Sequence, residues 1–350
     1  MTTDASPLVT VLVCTCNRKD NVVPTIRSIQ SCGYSHFELL VLDQSRDDQT
    51  EPAVRELCRL DERVKYVRLD RPSKPRALNL GRELAKGEFI FLTDDDCEVQ
   101  PGWISEMLTA FAADSRIACV FGDVDAGPCD TSDGYIPTCR ISESHSIYRL
   151  SEFLTMPGWK NFGMGASMAL RKSALTEVGG WDPCIGPGAF FKSGDDHDVV
   201  ARLLALGYGL TFSSTSRTLH YGMRYWKSIG EDQSRYGFGM GAVFAKHLRT
   251  RSYYAGPARV LGERLLNTAR CLASGKGPFG LAYPRNWLRG VMAGFRHPID
   301  VSTRCFVSDI PAAPADEASR VAQIVLRSQQ APRAIGAETK AGSSTQIKES

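Results

Sequence analysis

No stretch of the 350-residue chain reaches the ~18 consecutive apolar residues that a membrane-crossing helix needs, so any bilayer contact is expected to be peripheral. Its eleven cysteines include no CxxC pair, which argues against a zinc module, and their odd number and scatter do not suit a secreted disulfide framework. A reducing, cytoplasmic setting is expected. The opening residues, Met1-Thr2-Thr3-Asp4, carry neither the basic stretch nor the apolar core of a secretion signal. There is no GxGxxG and no GxxxxGK(S/T), so neither a dinucleotide-binding turn nor a P-loop explains a nucleotide site. Nor is there a charge excess. With 42 Lys and Arg against 39 Asp and Glu, the formal net charge of +3 offers no polycationic surface, and no nucleic-acid partner is expected.

What the chain does have is alternation. Between residues 8 and 125, strands are expected at 8–15, 37–42, 64–69, 89–93 and 117–124, separated by helices at 22–31, 51–60, 76–86 and 103–113. A βαβα series calls for a mostly parallel sheet covered by helices on both faces. Runs such as Leu39-Leu40-Val41-Leu42 and Phe89-Ile90-Phe91-Leu92 suit strands buried on both sides. Residues 127–159, rich in Ser, Pro, Gly and Cys, read as an irregular insertion. A strand at 163–171, a helix at 173–178, a Gly/Pro loop, a helix at 197–206 and a strand at 210–220 follow. After residue 225 the pattern is helical to about 296, and residues 246–296 hold ten Lys or Arg against one acid, Glu263. The expected organisation is an α/β domain over 1–225, a basic helical extension over 226–300 and a largely disordered tail over 312–350.

Chemistry concentrates in three features. Thr93-Asp94-Asp95-Asp96 follows directly on an apolar strand. Adjacent carboxylates repel one another and are stabilised by a divalent cation between them, and the carboxyl ends of strands are where ligands bind in open α/β sheets. A solvated acidic turn capping the next helix is the plainer alternative. Gly194-Asp195-Asp196-His197-Asp198 puts a carboxylate pair at the positive end of an amphipathic helix, which keeps one ionised and ready to take a proton from a bound hydroxyl. An ordinary N-cap is the alternative there. Thirdly, Thr15-Cys16-Asn17-Arg18 and Leu42-Asp43-Gln44-Ser45 leave two further strand ends, where Asn17, Arg18 and Asp43 offer donors and acceptors to a base, ribose and diphosphate.

In this order the segments resemble the family 2 glycosyltransferases of GT-A fold. Thr15-Cys16-Asn17-Arg18 matches the end of their opening strand, Asp43 the end of their second, and Ala77-Leu78-Asn79-Leu80-Gly81 their Ala-Leu-Asn-x-Gly segment. The Asp triplet matches their DxD metal motif. Gly-Ala-Ser-x-x-x-Arg recurs at 165–171, followed by Gly180-Trp181-Asp182, Gly186-Pro187-Gly188, and Asp195-Asp196-His197-Asp198 with Arg202-Leu203. The likeness covers residues 8–222. Cys14 stands where the family usually has Pro, and Asp195 where it usually has Glu.

The resemblance implies a GT-A-like, mostly parallel but mixed sheet with a C-terminal helical extension. It implies a metal-dependent, inverting glycosyltransferase of hexosyltransferase type, moving a sugar from a nucleoside-diphosphate sugar to a hydroxyl of a glycan, lipid-linked or small-molecule acceptor. Thr15, Asn17, Arg18 and Asp43 would hold the nucleotide, with a UDP-sugar as donor by family habit, and Arg76 would lie near the diphosphate. Asp94 would face the ribose and the metal, and Asp96 the Mg2+ or Mn2+; three consecutive Asp leave the register open, so Asp95 is the alternative ligand. Asp196 would be the general base, with Asp195 orienting it or the acceptor. Trp181, Gly186 and Gly188 would form the acceptor side, although Trp181, like Trp159, equally suits a closed core. His220 would approach the metal or be structural. The basic 246–296 region, interleaved with Tyr253, Tyr254, Phe279, Trp287 and Phe295, would lie on an anionic membrane surface at the inner face, as suits polysaccharide biosynthesis, or form a solvated face. A nucleotidyltransferase or other metal-dependent phosphoryl-transfer enzyme and an inactive scaffold of glycan assembly stay open as alternatives. All these roles require the two acidic clusters to meet in one pocket.

Overall fold

Residues 6–46, 49–152, 163–251, 256–273 and 281–308 are described by the computed structural model. Expectations for Trp159, Tyr253, Tyr254, Phe279 and the tail from 312 lie outside the described residues. The chain begins with β1 (Val9–Thr15), α1 (Lys19–Gln30), β2 (Phe37–Asp43), α2 (Thr50–Leu60), β3 (Val64–Arg68), α3 (Lys74–Leu84) and β4 (Phe89–Asp94). It continues through β5 (Cys97–Val99), α4 (Trp103–Ala113), β6 (Ile117–Ala126), β7 (Gly134–Tyr135), β8 (His145–Ile147), β9 (Met168–Arg171) and α5 (Lys172–Glu177). The remaining elements are α6 (Asp195–Ala205), β10 (Gly209–His220), β11 (Arg224–Tyr225), α7 (Ile229–Arg249), α8 (Gly256–Ala273) and α9 (Ala282–Arg296).

Strands β3, β2, β1 and β4 lie side by side in parallel, and the sheet continues through β9, β6, β10 and β5, with β8 also paired to β10. β9 runs antiparallel between β4 and β6, which makes the sheet mixed. Alternate side chains of the central strands enter opposite layers. Val9, Val11, Val13 and Phe91 pack with Ile26, Trp103 and Met107 of α1 and α4 on one face. Leu12, Leu42, Ile90 and Leu92 pack with Leu78, Val199, Leu203 and Val243 of α3, α6 and α7 on the other. The chain order reverses between β1 and β4, with Cys14 in register with Asp94, and a crevice opens at such a switch point.

Two local readings change. The strand expected at 163–171 is strand only over β9; Gly165–Ser167 is a tight helical turn, held where Thr93 Oγ1 donates to Ala166 O at 2.8 Å and the Trp103 indole donates to Ser167 Oγ at 3.0 Å. Within the basic region, Lys246 is fully buried and pairs with Asp182 and Asp198, both at 2.6 Å, so it does not belong to a solvated or membrane-facing surface. Trp287 is buried as well.

Candidate active site

The acidic triplet leaves β4 and fans out. Asp95 turns inward, accepting from Thr15 Oγ1 at 2.8 Å and from Arg18 at 3.0 Å. Burial, only partly offset by Arg18 and Thr15, pushes its carboxyl up to about 6. Asp96 accepts from the same Arg18 nitrogen at 2.9 Å and lies 3.3 Å from His220 Nε2 at the end of β10. Asp94 is the most exposed of the three and pairs with Lys74 at 2.5 Å. Arg18 and Lys74 thus supply the positive charge this site requires.

Asp96, Cys97 and His220 bring ligand atoms within 4.8 Å of one another, and their surroundings fit a divalent cation. His220 Nδ1 lies 3.0 Å from Pro137 O, which assigns the Nδ1 proton and turns Nε2 toward Asp96. Two acceptors at that spacing need a proton or a cation between them. Burial alone would lower the His220 pKa, but the bond to Asp96 and its charge raise it. Gly222 keeps the adjoining space open, since a Cβ there would lie 2.5 Å from Asp96 Oδ2 and 2.6 Å from His220 Nε2. The carboxylate suits Mg2+ or Mn2+, and the added imidazole favours the softer Mn2+.

The second cluster begins α6. Gly194 caps it at φ +100°, and Asp195, Asp196 and Asp198 fill its first turn, where the helix dipole favours negative charge. Asp196 Oδ2 accepts from the Gly165 amide at 2.9 Å. Gly186, at φ +124°, leaves room for Asp195, whose Cγ would lie 3.0 Å from a Cβ there. Burial, and for Asp195 the neighbouring Asp196 charge, raise both carboxyls, while Lys74 lowers both. Burial opposes the Lys74 charge, but Asp94, Asp195 and Asp196 together hold its pKa well above the ordinary lysine value. The Lys74 amide donates to Pro187 O at 2.9 Å, docking the Gly-Pro-Gly loop onto α3. One ammonium therefore joins the two acidic clusters across a single site.

Other expected residues fall as follows. Asn17 adopts φ +56°; its amide donates to Ser45 Oγ and its Oδ1 accepts from the Arg46 amide, tying the β1 and β2 exits together. Asp43 is fully buried, accepting from the Ser45 amide and hydroxyl and from Tyr66 OH at 2.7 Å, so it shapes the loop beneath the crevice. Arg76 is half-buried on α3. Trp181 is a correction: it is fully buried in the main core, with its backbone clasped by Asn79, and presents no face to a sugar. Gly188, at φ +78°, packs against Pro72 O. Sequence reasoning missed Lys74. The signal was a lysine at the start of a helix, against the macrodipole, which calls for carboxylates nearby.

A parallel switch point carrying one acidic cluster, with a second at a helix start, is the frame of the GT-A fold. The protein has this fold in common with mannosyltransferase PcManGT from Pyrobaculum calidifontis, solved with GDP-Man and Mn2+, at TM-score 0.55 and 17% identity over 84% of this chain and 88% of that one. Residues 10–179 match the glycosyl transferase family 2 model. That region, just under half of the chain, is the part that resembles the family. Among curated relatives, a GalNAc(5)-diNAcBac-PP-undecaprenol beta-1,3-glucosyltransferase of Campylobacter jejuni is 33% identical over 119 residues, 33% of this chain and 38% of that protein. A poly-beta-1,6-N-acetyl-D-glucosamine synthase of Staphylococcus aureus is 22% identical over 174 residues, 50% and 42%. The matches span less than half the length of either relative.

Proposed function

We propose that the chain is a metal-dependent, inverting transferase that moves a sugar from a nucleoside-diphosphate sugar, with UDP as the nucleotide, to an acceptor hydroxyl. The observation that carries this reading is Lys74, bonded to Asp94 and lowering the pKa of Asp195 and Asp196, which joins the two acidic clusters in one site. Residues 1–225 supply both clusters, and α7 packs against α6 through Val243 and Lys246. Thr15, Asn17 and Arg18 hold the nucleotide above Asp43, with Arg76 beside the diphosphate and Asp94 toward the ribose. Asp96 and His220, with Asp94, would hold Mg2+ or Mn2+; Asp95 anchors β1. When bound, the cation neutralises the charge that develops on the departing diphosphate.

Asp196 takes the proton from the acceptor hydroxyl as its oxygen attacks the anomeric carbon from the side opposite the diphosphate. The bond from anomeric carbon to phosphate oxygen breaks, and the configuration inverts. Asp195 orients the acceptor beside the loop of Gly186 and Gly188, and Lys74 lowers the pKa of both carboxyls against the effect of burial. The Campylobacter relative is named for an undecaprenol-diphosphate-linked acceptor, which supports a lipid-linked acceptor; the basic residues of 246–296 other than Lys246 fit work at an anionic membrane surface, on the cytoplasmic side. Among the described residues no helix is long and apolar enough to cross a membrane.

Thermal-shift screening of nucleotide sugars with and without Mn2+, followed by product analysis, tests the reading. Stabilisation that needs both ligands, with release of free nucleoside diphosphate, is expected. Release of pyrophosphate instead would mean nucleotidyl transfer, and failure to hydrolyse or transfer from any donor would mean a scaffold.

A further inference from the structure

Helix α9 presents unlike faces. Tyr283, Trp287, Gly290 and Gly294 form its buried side, where Gly290 lies against Phe238 O and Gly241 of α7 against Trp287 O, so closely that a Cβ at either would collide. At ~100° per residue, Leu281, Leu288, Met292 and Phe295 fall within about 60° of arc on the opposite side, and Arg285, Arg296 and Arg289 occupy the adjoining ~40°. Leu288, Met292 and Phe295 are 57%, 54% and 47% exposed. α9 contains no acid. Glu263 on α8 pairs with Arg259 at 3.5 Å, and Asp300 beyond α9 accepts from the Ser302 amide and hydroxyl. The His297 ring lies 5.5 Å from that of Phe190, which is 56% exposed on the loop that also carries Gly186.

We propose that this face of α9 is a membrane-binding surface, with Leu288, Met292 and Phe295 entering the headgroup region and the arginine row pairing with anionic lipid phosphates. It deepens the membrane part of the proposed function and rests on that part for the position of the acceptor. The single sign of the charge argues for a lipid occupant over a second copy of the chain, because two such faces would bring arginines together. Docked this way, Phe190 brings the 186–191 loop to the bilayer, and an acceptor anchored in lipid approaches Asp196 from that side.

The test is sedimentation of the full chain with phosphatidylcholine vesicles, with and without phosphatidylglycerol. Two triple variants accompany it: Arg285→Gln with Arg289→Gln and Arg296→Gln, and Leu288→Ser with Met292→Ser and Phe295→Ser. Wild type should bind only the anionic vesicles and should release as salt rises. The arginine triple should bind roughly a hundredfold more weakly, and the apolar triple should lose binding while keeping the wild-type melting temperature. No binding to anionic vesicles at low salt, or equal binding by both triples and wild type, overturns the proposal. So does a wild-type dimer that the apolar triple dissociates, or binding to an acidic peptide in preference to vesicles. Donor hydrolysis, measured on the same preparations without vesicles, judges the transferase reading separately.

Discussion

Lys74→Gln removes the ammonium that joins the two acidic clusters. Its side chain is 22% exposed, and its charge lowers the pKa of both Asp195 and Asp196. As an order of magnitude, a unit charge at a separation of about 6 Å and an effective dielectric of ~20 contributes about 3 kcal/mol, equivalent to ~2 pH units. Solvent screening of a partly exposed group reduces the expectation to about 1 unit. A general base works ionised, and burial already raises both carboxyls, so activity falls as pH drops through the raised pKa. A plot of kcat/KM against pH should therefore show an acidic limb above the ordinary carboxylate range, displaced about 1 unit further up in Lys74→Gln. Stability follows the same sign. A carboxyl whose folded pKa is raised stabilises the fold when protonated and loses that contribution as pH rises through the folded value. The melting deficit of Lys74→Gln should accordingly widen toward alkaline pH. Acidic limbs at one and the same pH in both proteins would refute the role given to Lys74.

Asp196→Asn should lower kcat about 100-fold or more, with donor affinity by calorimetry nearly unchanged; a near-normal rate removes Asp196 as the base. His220→Gln should weaken Mn2+ binding by about 10–100-fold in titration calorimetry, and an unchanged affinity would place His220 outside the metal site. Lys246→Met leaves Asp182 and Asp198 buried with less counter-charge, and urea denaturation should show a loss of about 3–5 kcal/mol. A loss well under ~1 kcal/mol would mean that water reaches those carboxylates.

The central strands were legible because burial on both faces writes itself as an unbroken apolar run, as in Phe89-Ile90-Phe91-Leu92. β7 and β11, two residues each, are too short to carry any periodicity. Both acidic clusters could be read from carboxylates at a strand end and a helix start; their meeting through Lys74 could not, because the ammonium reaches across the crevice to residues more than a hundred positions later. Trp181 was ambiguous because an aromatic in a glycine-rich loop fits a sugar platform and a core equally well. Counting charge placed Lys246 on the surface. Its spacing from Gly239, Ala242 and Val243, all on the buried side of α7, was the available sign that it points inward.

Asp198 is fully buried and meets Arg202 at 2.9 Å, Lys246 at 2.6 Å and His247 at 3.0 Å, while Asp182 receives Lys246 and the Phe306 amide at 2.7 Å. A fragment trimmed just after β11 would strand two carboxylates in an apolar interior with Arg202 as the remaining cation of this group. The smallest autonomous unit therefore extends at least to Phe306, and limited proteolysis should release nothing shorter that still folds.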